Sequence, residues 1–182
     1  ISLNDQTVVI TGGAKRVGRA IAELCAASGA NVAITYNTSQ GEAQQLIKEL
    51  QGEYSNQKFA AFQLEVSDGK ACAELPQRVL NSIGSVTALV NSAAVFRRTP
   101  FEQMTESDFD DHINANLKGP YLLSKSFGDY FLQQQRGSII NIADIHGLKP
   151  LKNYIPYCVS KSGVITLTEG LAKALAPHVR VN

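Results

Sequence analysis

Short apolar runs rich in β-branched residues alternate along this chain with longer stretches in which apolar residues recur every three or four positions. Residues 7–11, 31–36, 58–64, 86–91 and 137–142 read as strands, and their near-continuous apolar character fits a sheet covered on both faces. Residues 19–27, 41–50, 70–81, 109–135 and 155–176 carry the helical period, the fourth stretch as one helix or two. Residues 179–182 begin a further strand. Strands and helices in strict alternation predict an α/β fold, a doubly wound parallel sheet with helices on both faces. Ligands of such folds bind at the carboxyl ends of the strands. No low-complexity linker interrupts the rhythm, so residues 1–182 read as a single domain.

Composition narrows the function classes. A chain of 182 residues, 44% hydrophobic and 18% charged, can bury a sizeable core. A net charge of +1 offers no basic stripe for nucleic acid. Neither an apolar run of transmembrane length nor a signal pattern is present, so no membrane partner is expected. Cys25, Cys72 and Cys158 have no CxxC spacing and no histidine cluster. They read as reduced thiols of a cytoplasmic protein, and no metal site is expected.

Two local patterns carry chemistry. The strand at 7–11 runs into Gly12-Gly13-Ala14-Lys15-Arg16-Val17-Gly18 and then a strong helix former, a strand–turn–helix that aims helix amides at an anion such as a phosphate. Tyr157 and Lys161 are four residues apart and share a helical face. An ammonium beside a phenol would lower the tyrosine pKa towards neutrality, which suits proton donation.

Thr11-Gly12 with Gly18, Asn91-Ser92-Ala93-Ala94, Asn116 and Tyr157-x3-Lys161 together resemble the short-chain dehydrogenase/reductase family, in order and across the whole chain. The resemblance implies a Rossmann fold, a nicotinamide dinucleotide and association into dimers or tetramers, with Phe127, Tyr130 and Phe131 candidates for either such a face or the core. It also implies that the strand begun at residue 179 continues into a substrate-covering segment and a last strand, so the chain reads as truncated before them. Gly12, Lys15, Arg16, Val17 and Gly18 would hold the pyrophosphate, and Glu65 and Val66 would neighbour the adenine. Asn91, Ser92 and Ala93 would close the fourth strand near the cofactor, with Asn91 equally suited to forming a turn. After the second strand come Tyr36, Asn37, Thr38 and Ser39, with no acid before Glu42. An acid at that point would repel a 2′-phosphate, so neutral donors with Lys15 or Arg16 nearby favour NADP(H).

The family's catalytic serine lies thirteen positions before the tyrosine, where this chain has Asp144. A hydroxyl donates to a developing oxyanion, whereas an ionised carboxylate only accepts. The chain is in this respect similar to pteridine reductases, which pair Asp with Tyr and Lys and carry Thr-Gly-x-x-x-Arg-x-Gly. Phe96 stands where those enzymes stack a phenylalanine on the pterin, although Ala94 and Val95 replace their serines. The resemblance makes Asp144, Tyr157, Lys161 and Asn116 catalytic and Arg16, Phe96, Asp144 and Tyr157 substrate-binding. The expected reaction is hydride transfer from NADPH to a pterin C=N bond. A 3-oxoacyl-thioester or other carbonyl reductase is the alternative, and a non-catalytic NADP(H)-binding protein the second. Arg97 and Arg98 could recruit an anionic tail or lie on a solvated loop, and neither His112 nor His146 is needed by the scheme.

Overall fold

The structure, a computed structural model, describes residues 2–182. Strands β1 (Thr7–Ile10), β2 (Asn31–Tyr36), β3 (Phe59–Gln63), β4 (Ala88–Asn91), β5 (Gly137–Asn141) and β6 (Val179–Val181) form one sheet in the order β3-β2-β1-β4-β5-β6. Every neighbouring pair is parallel. Helices α1 (Arg16–Ala27), α2 (Gln40–Glu53), α3 (Gly69–Ile83), α4 (Glu106–Ile113), α5 (Gly119–Gln133) and α6 (Ile155–Leu175) make the crossovers. Strand order reverses between β1 and β4. The loops leaving those two strands therefore diverge and open a crevice at their carboxyl ends.

Alternation along each strand feeds two separate cores. Val9, Ala33, Leu89 and Ile139 face one side, against Leu75 and Val79 of α3 and Leu123, Phe127 and Phe131 of α5. Val8, Ile10, Val32 and Ile34 face the other, against Ala22 and Ala26 of α1 and Ala43 and Leu46 of α2. Alanines on α1 let it lie close to the sheet, which brings its N-terminus to the end of β1. Phe127 and Phe131 are fully buried and belong to the core rather than to an outer face.

The strand boundaries lie within a residue or two of those predicted. The predicted helix at 109–135 resolves into α4, a π-helical stretch at Asn114–Lys118, and α5. α4 begins with a capping box: the Thr105 hydroxyl accepts from the Asp108 amide, and the Asp108 carboxylate accepts from the Thr105 amide. At the junction with α5, Pro120 lacks the N–H that a regular helix would send to the Asn116 carbonyl, so the α ladder cannot run through. α1 starts at Arg16, earlier than the predicted residue 19. Among the described residues no helix is long and apolar enough to cross a membrane.

Candidate active site

The crevice floor is bare backbone, made so by glycine. Gly12 has a φ of +62°, and a Cβ there would lie 2.9 Å from the Ala93 Cα. A Cβ on Gly18 would meet the Gly12 carbonyl oxygen at 2.3 Å, so the first turn of α1 can approach β1 only with glycine there. The Thr11 hydroxyl accepts from the backbone N–H of Ser92 at 2.9 Å and of Ala93 at 3.0 Å, tying the β1 loop to the β4 loop.

Two grooves meet over Gly12, Ala93 and Ala94. One brings together Lys15, Arg16, Val17, Gly18, Ser92 and Phe96. The other runs to Tyr36, Asn37, Glu65 and Val66, and adds Thr35, Leu64, Val95 and Ala115, which the motifs did not mark. Glu65 is held by the Asn37 amide at 2.5 Å and by the Ser67 backbone N–H and hydroxyl. Thr38 and Ser39 lie outside both grooves, Ser39 preceding α2 as its N-cap without a side-chain bond. Arg16 is exposed with a φ of +50°, whereas Lys15 is paired with Glu42 at 2.6 Å. Bare backbone, a helix N-terminus and a cation in one crevice fit an elongated phosphate-bearing ligand such as a dinucleotide.

Asn91 neither forms a turn nor lines a groove. It is buried, and its amide donates to Ser124 Oγ at 3.2 Å and Asn141 Oδ1 at 2.8 Å, while its Oδ1 has no partner. Asn141 in turn donates to Thr168 Oγ1 at 2.8 Å. This polar bridge joins β4 and β5 to α5 and α6 beneath the site.

Asp144, Tyr157 and Lys161 converge at the end of β5. Asp144 precedes the 3-10 turn Ile145–Gly147, and its Oδ1 accepts from the backbone N–H of His146 at 2.8 Å. Its Oδ2 accepts from the Tyr157 hydroxyl at 2.6 Å. The His146 N–H first, and then the phenol, hold the Asp144 carboxyl below the usual carboxylate range. Tyr157 goes the opposite way from the expected lowering. Burial, and then the hydrogen bond and charge of Asp144, push its phenol well above the ordinary value. Lys161 does not offset this, because its ammonium donates to the Ile142 carbonyl at 2.6 Å and lies 5.9 Å from the Tyr157 ring centre. Burial lowers the Lys161 pKa, against the opposing charge of Asp144.

Asn116 is a hub. Its Oδ1 accepts from the Val95 N–H at 2.7 Å, and its amide donates to the Val95 carbonyl at 2.9 Å and Ser160 Oγ at 3.0 Å. Ser160 donates to the Tyr157 carbonyl at 2.7 Å. The π-helical turn, the β4 loop and α6 are thereby fixed to one another.

Phe96 is half-exposed above the tyrosine, its ring edge-on to Tyr157 at 4.7 Å and 73°. It also stacks on Tyr154 at 4.7 Å and 11°. Tyr154 is the residue just before α6 and carries no motif in the sequence; its place beside Phe96 is seen only in the fold. Arg97 is paired with Asp111 at 2.6 Å and Asp108 at 3.6 Å, which fastens the loop to α4 and occupies the cation. Arg98 is exposed, and the His146 ring lies 3.1 Å from the Lys149 carbonyl. His112 is fully buried with its Nδ1 on the Asp108 carbonyl. Among the described residues no group of His, Cys, Asp and Glu is placed to hold a metal ion.

Comparison with known proteins agrees with this geometry. A family profile described as short chain dehydrogenase matches residues 6–182. The 3-oxoacyl-(acyl-carrier-protein) reductase FabG of Thermotoga maritima is 34% identical over 99% of this chain and 72% of its own length. The FabG of Staphylococcus epidermidis is 32% identical over 94% of this chain and 70% of its own. Among solved structures, FolM alternative dihydrofolate reductase 1 from Brucella canis, complexed with NADP, superposes with a TM-score of 0.88 at 30% identity, over 98% of this chain and 71% of that one. A dehydrogenase/reductase from Sinorhizobium meliloti 1021 gives 0.89 at 31% identity, over 100% and 71%. The chain belongs to the short-chain dehydrogenase family and is an oxidoreductase built to use a nicotinamide dinucleotide.

Proposed function

We propose that this chain reduces a pterin ring with NADPH. The observation that carries the proposal is the 2.6 Å hydrogen bond from Tyr157 to Asp144, where the family pattern has a serine hydroxyl. An ionised carboxylate beside the phenol would repel an alkoxide forming from a ketone. The same carboxylate suits a heterocycle that presents N–H groups and takes up a proton at nitrogen.

NADPH supplies a hydride from its nicotinamide C4 when bound. Gly12 and Gly18 open the backbone to the pyrophosphate, and Arg16 balances its charge. Asn37, with Lys15 once it leaves Glu42, would offer donors to the 2′-phosphate, and the absence of an acid at the end of β2 favours it. Asp144 accepts from the pterin N–H groups and sets the ring plane, and Phe96 supplies an apolar wall above Tyr157. Tyr157, hydrogen-bonded to Asp144, would give its proton to the ring nitrogen and would recover one from solvent. Lys161, anchored by the Ile142 carbonyl, would offer a donor to the nicotinamide ribose.

The FolM neighbour supports this reading, since its name is that of a dihydrofolate reductase bound to NADP. The FabG names of the sequence relatives favour a second one, reduction of a 3-oxoacyl thioester, and do so more directly than the FolM neighbour favours pterins. NADPH oxidation assayed with a dihydropterin and with an acetoacetyl thioester separates them. Pterin turnover is expected, with D144S lowering it about 100-fold or more while NADPH affinity holds. Thioester turnover with an inert pterin would establish the second reading, and NADPH binding with neither substrate consumed would make the chain a non-catalytic binder.

A further inference from the structure

Lys15 stands at the edge of the phosphate-binding turn, and its ammonium is taken by Glu42 at 2.6 Å. Glu42 lies in the first turn of α2, on the segment that follows the Asn37 end of β2. The ion pair therefore ties the turn, whose Lys15 lines one groove, to the helix that follows the β2 end of the adjoining groove, where the adenosine ribose of a dinucleotide would lie. Its carboxylate has the surroundings that a 2′-phosphate would seek, a lysine ammonium and the positive end of a helix. Lys15 holds the Glu42 carboxyl below its usual range, so the charge is present at neutral pH.

We propose that Glu42 is a cofactor-selectivity residue, an internal anion that occupies Lys15 until the 2′-phosphate of NADPH displaces it. The inference rests on the NADPH reading above. One lysine cannot serve a carboxylate and a phosphate equally, and the two anions repel at this range. Binding NADPH then includes an exchange of partners at Lys15, whereas binding NADH leaves the pair intact. Both side chains are about half exposed, so the exchange is a modest, salt-sensitive effect rather than a barrier.

Calorimetric titration of NADPH and NADH into wild type, E42Q, K15M and the double variant tests the exchange. E42Q is expected to tighten NADPH about two- to fivefold at low salt, with less gain near 0.3 M salt and no change for NADH. K15M weakens NADPH, and adding E42Q in that background gains less than it does alone, because no ammonium remains to be released. Weaker NADPH binding by E42Q would show that Glu42 orients Lys15 instead of competing, and unchanged binding would show that the pair plays no part; either result overturns the proposal. A wild type that binds both cofactors equally, with K15M altering neither, overturns the NADPH reading and the exchange with it. Circular dichroism of each variant, unchanged because both positions are exposed, confirms that the fold is retained.

Discussion

Arg16 carries a φ of +50° at the start of α1, in the left-handed region. A side chain in the left-handed region is destabilising by about 1–2 kcal/mol, so this arginine is kept against the preference of its own backbone. R16G is expected to leave the melting temperature unchanged or raise it by about 2–4 °C, while NADPH affinity falls about tenfold. A thermal melt beside a cofactor titration checks both; a marked drop in melting temperature would refute the strain argument. Tyr157 and Asp144 make a second residue-scale prediction. A phenol held high and a carboxyl held low leave Tyr157 protonated and Asp144 ionised across neutral pH. The stability that Asp144 contributes is present above the unfolded carboxyl value of about 3.9 and is lost as pH falls through its lower folded value. The acid limb of activity should therefore lie below the ordinary carboxylate range. Lys161 is displaced downward from 10.5 by burial, so the alkaline limb belongs to it and not to the phenol. Phenolate absorbance of wild type minus Y157F should show no ionisation of Tyr157 below pH 10, and D144N should bring that ionisation down. The identities at this site were legible, because Asp144, Tyr157 and Lys161 lie at fixed spacings. The direction of the Tyr157 shift was not, since a spacing of four does not reveal that the ammonium reaches the Ile142 carbonyl or how deeply the phenol is buried.

The π-helical stretch Asn114–Lys118 shows what periodicity cannot reveal. Apolar recurrence through 109–135 fits one helix or two without locating a break, and the break is created by Pro120 together with the bonds that Asn116 makes outside its own helix. Those partners, Val95 and Ser160, are remote in sequence and become neighbours only in the folded sheet. The strands, by contrast, were legible because a β-branched run buried on both faces needs no distant partner to be recognised. N116A removes three hydrogen bonds, to the Val95 amide, the Val95 carbonyl and Ser160, and leaves buried groups unpaired. A loss of about 2–4 kcal/mol in stability is expected from such deletions, measurable by urea unfolding. Turnover should fall more than cofactor affinity, because Ser160 also holds the Tyr157 carbonyl while the glycine turn is untouched. S160A, which spares the Val95 bonds, should cost less on both measures, and an equal loss would put the weight on Ser160 instead.

The crevice at the β1–β4 switch belongs to the whole molecule, because its walls come from segments that are far apart in the chain. The turn after β1, the end of β2, the loop after β4 and the start of α6 meet there, and bonds such as those from the Ser92 and Ala93 amides to Thr11 tie them together. A dinucleotide lying across Gly12 would touch most of them at once, so cofactor binding should stabilise the fold as a unit. At a free concentration of 100 times Kd, the linkage contributes about 2.7 kcal/mol. For a domain of this length that raises the melting temperature by about 5–10 °C. NADPH should produce this shift, and NADH at the same concentration a smaller one. D144S should retain the NADPH shift, since the proposed role of the carboxylate is toward the substrate and not the cofactor. G12A should lose it, because its Cβ would lie 2.9 Å from the Ala93 Cα on a backbone already at a φ of +62°. A differential scanning series over cofactor concentration distinguishes these cases. Equal shifts from NADPH and NADH would remove the case for a 2′-phosphate site beside Asn37, and a full shift in G12A would mean that the cofactor does not cross the glycine turn.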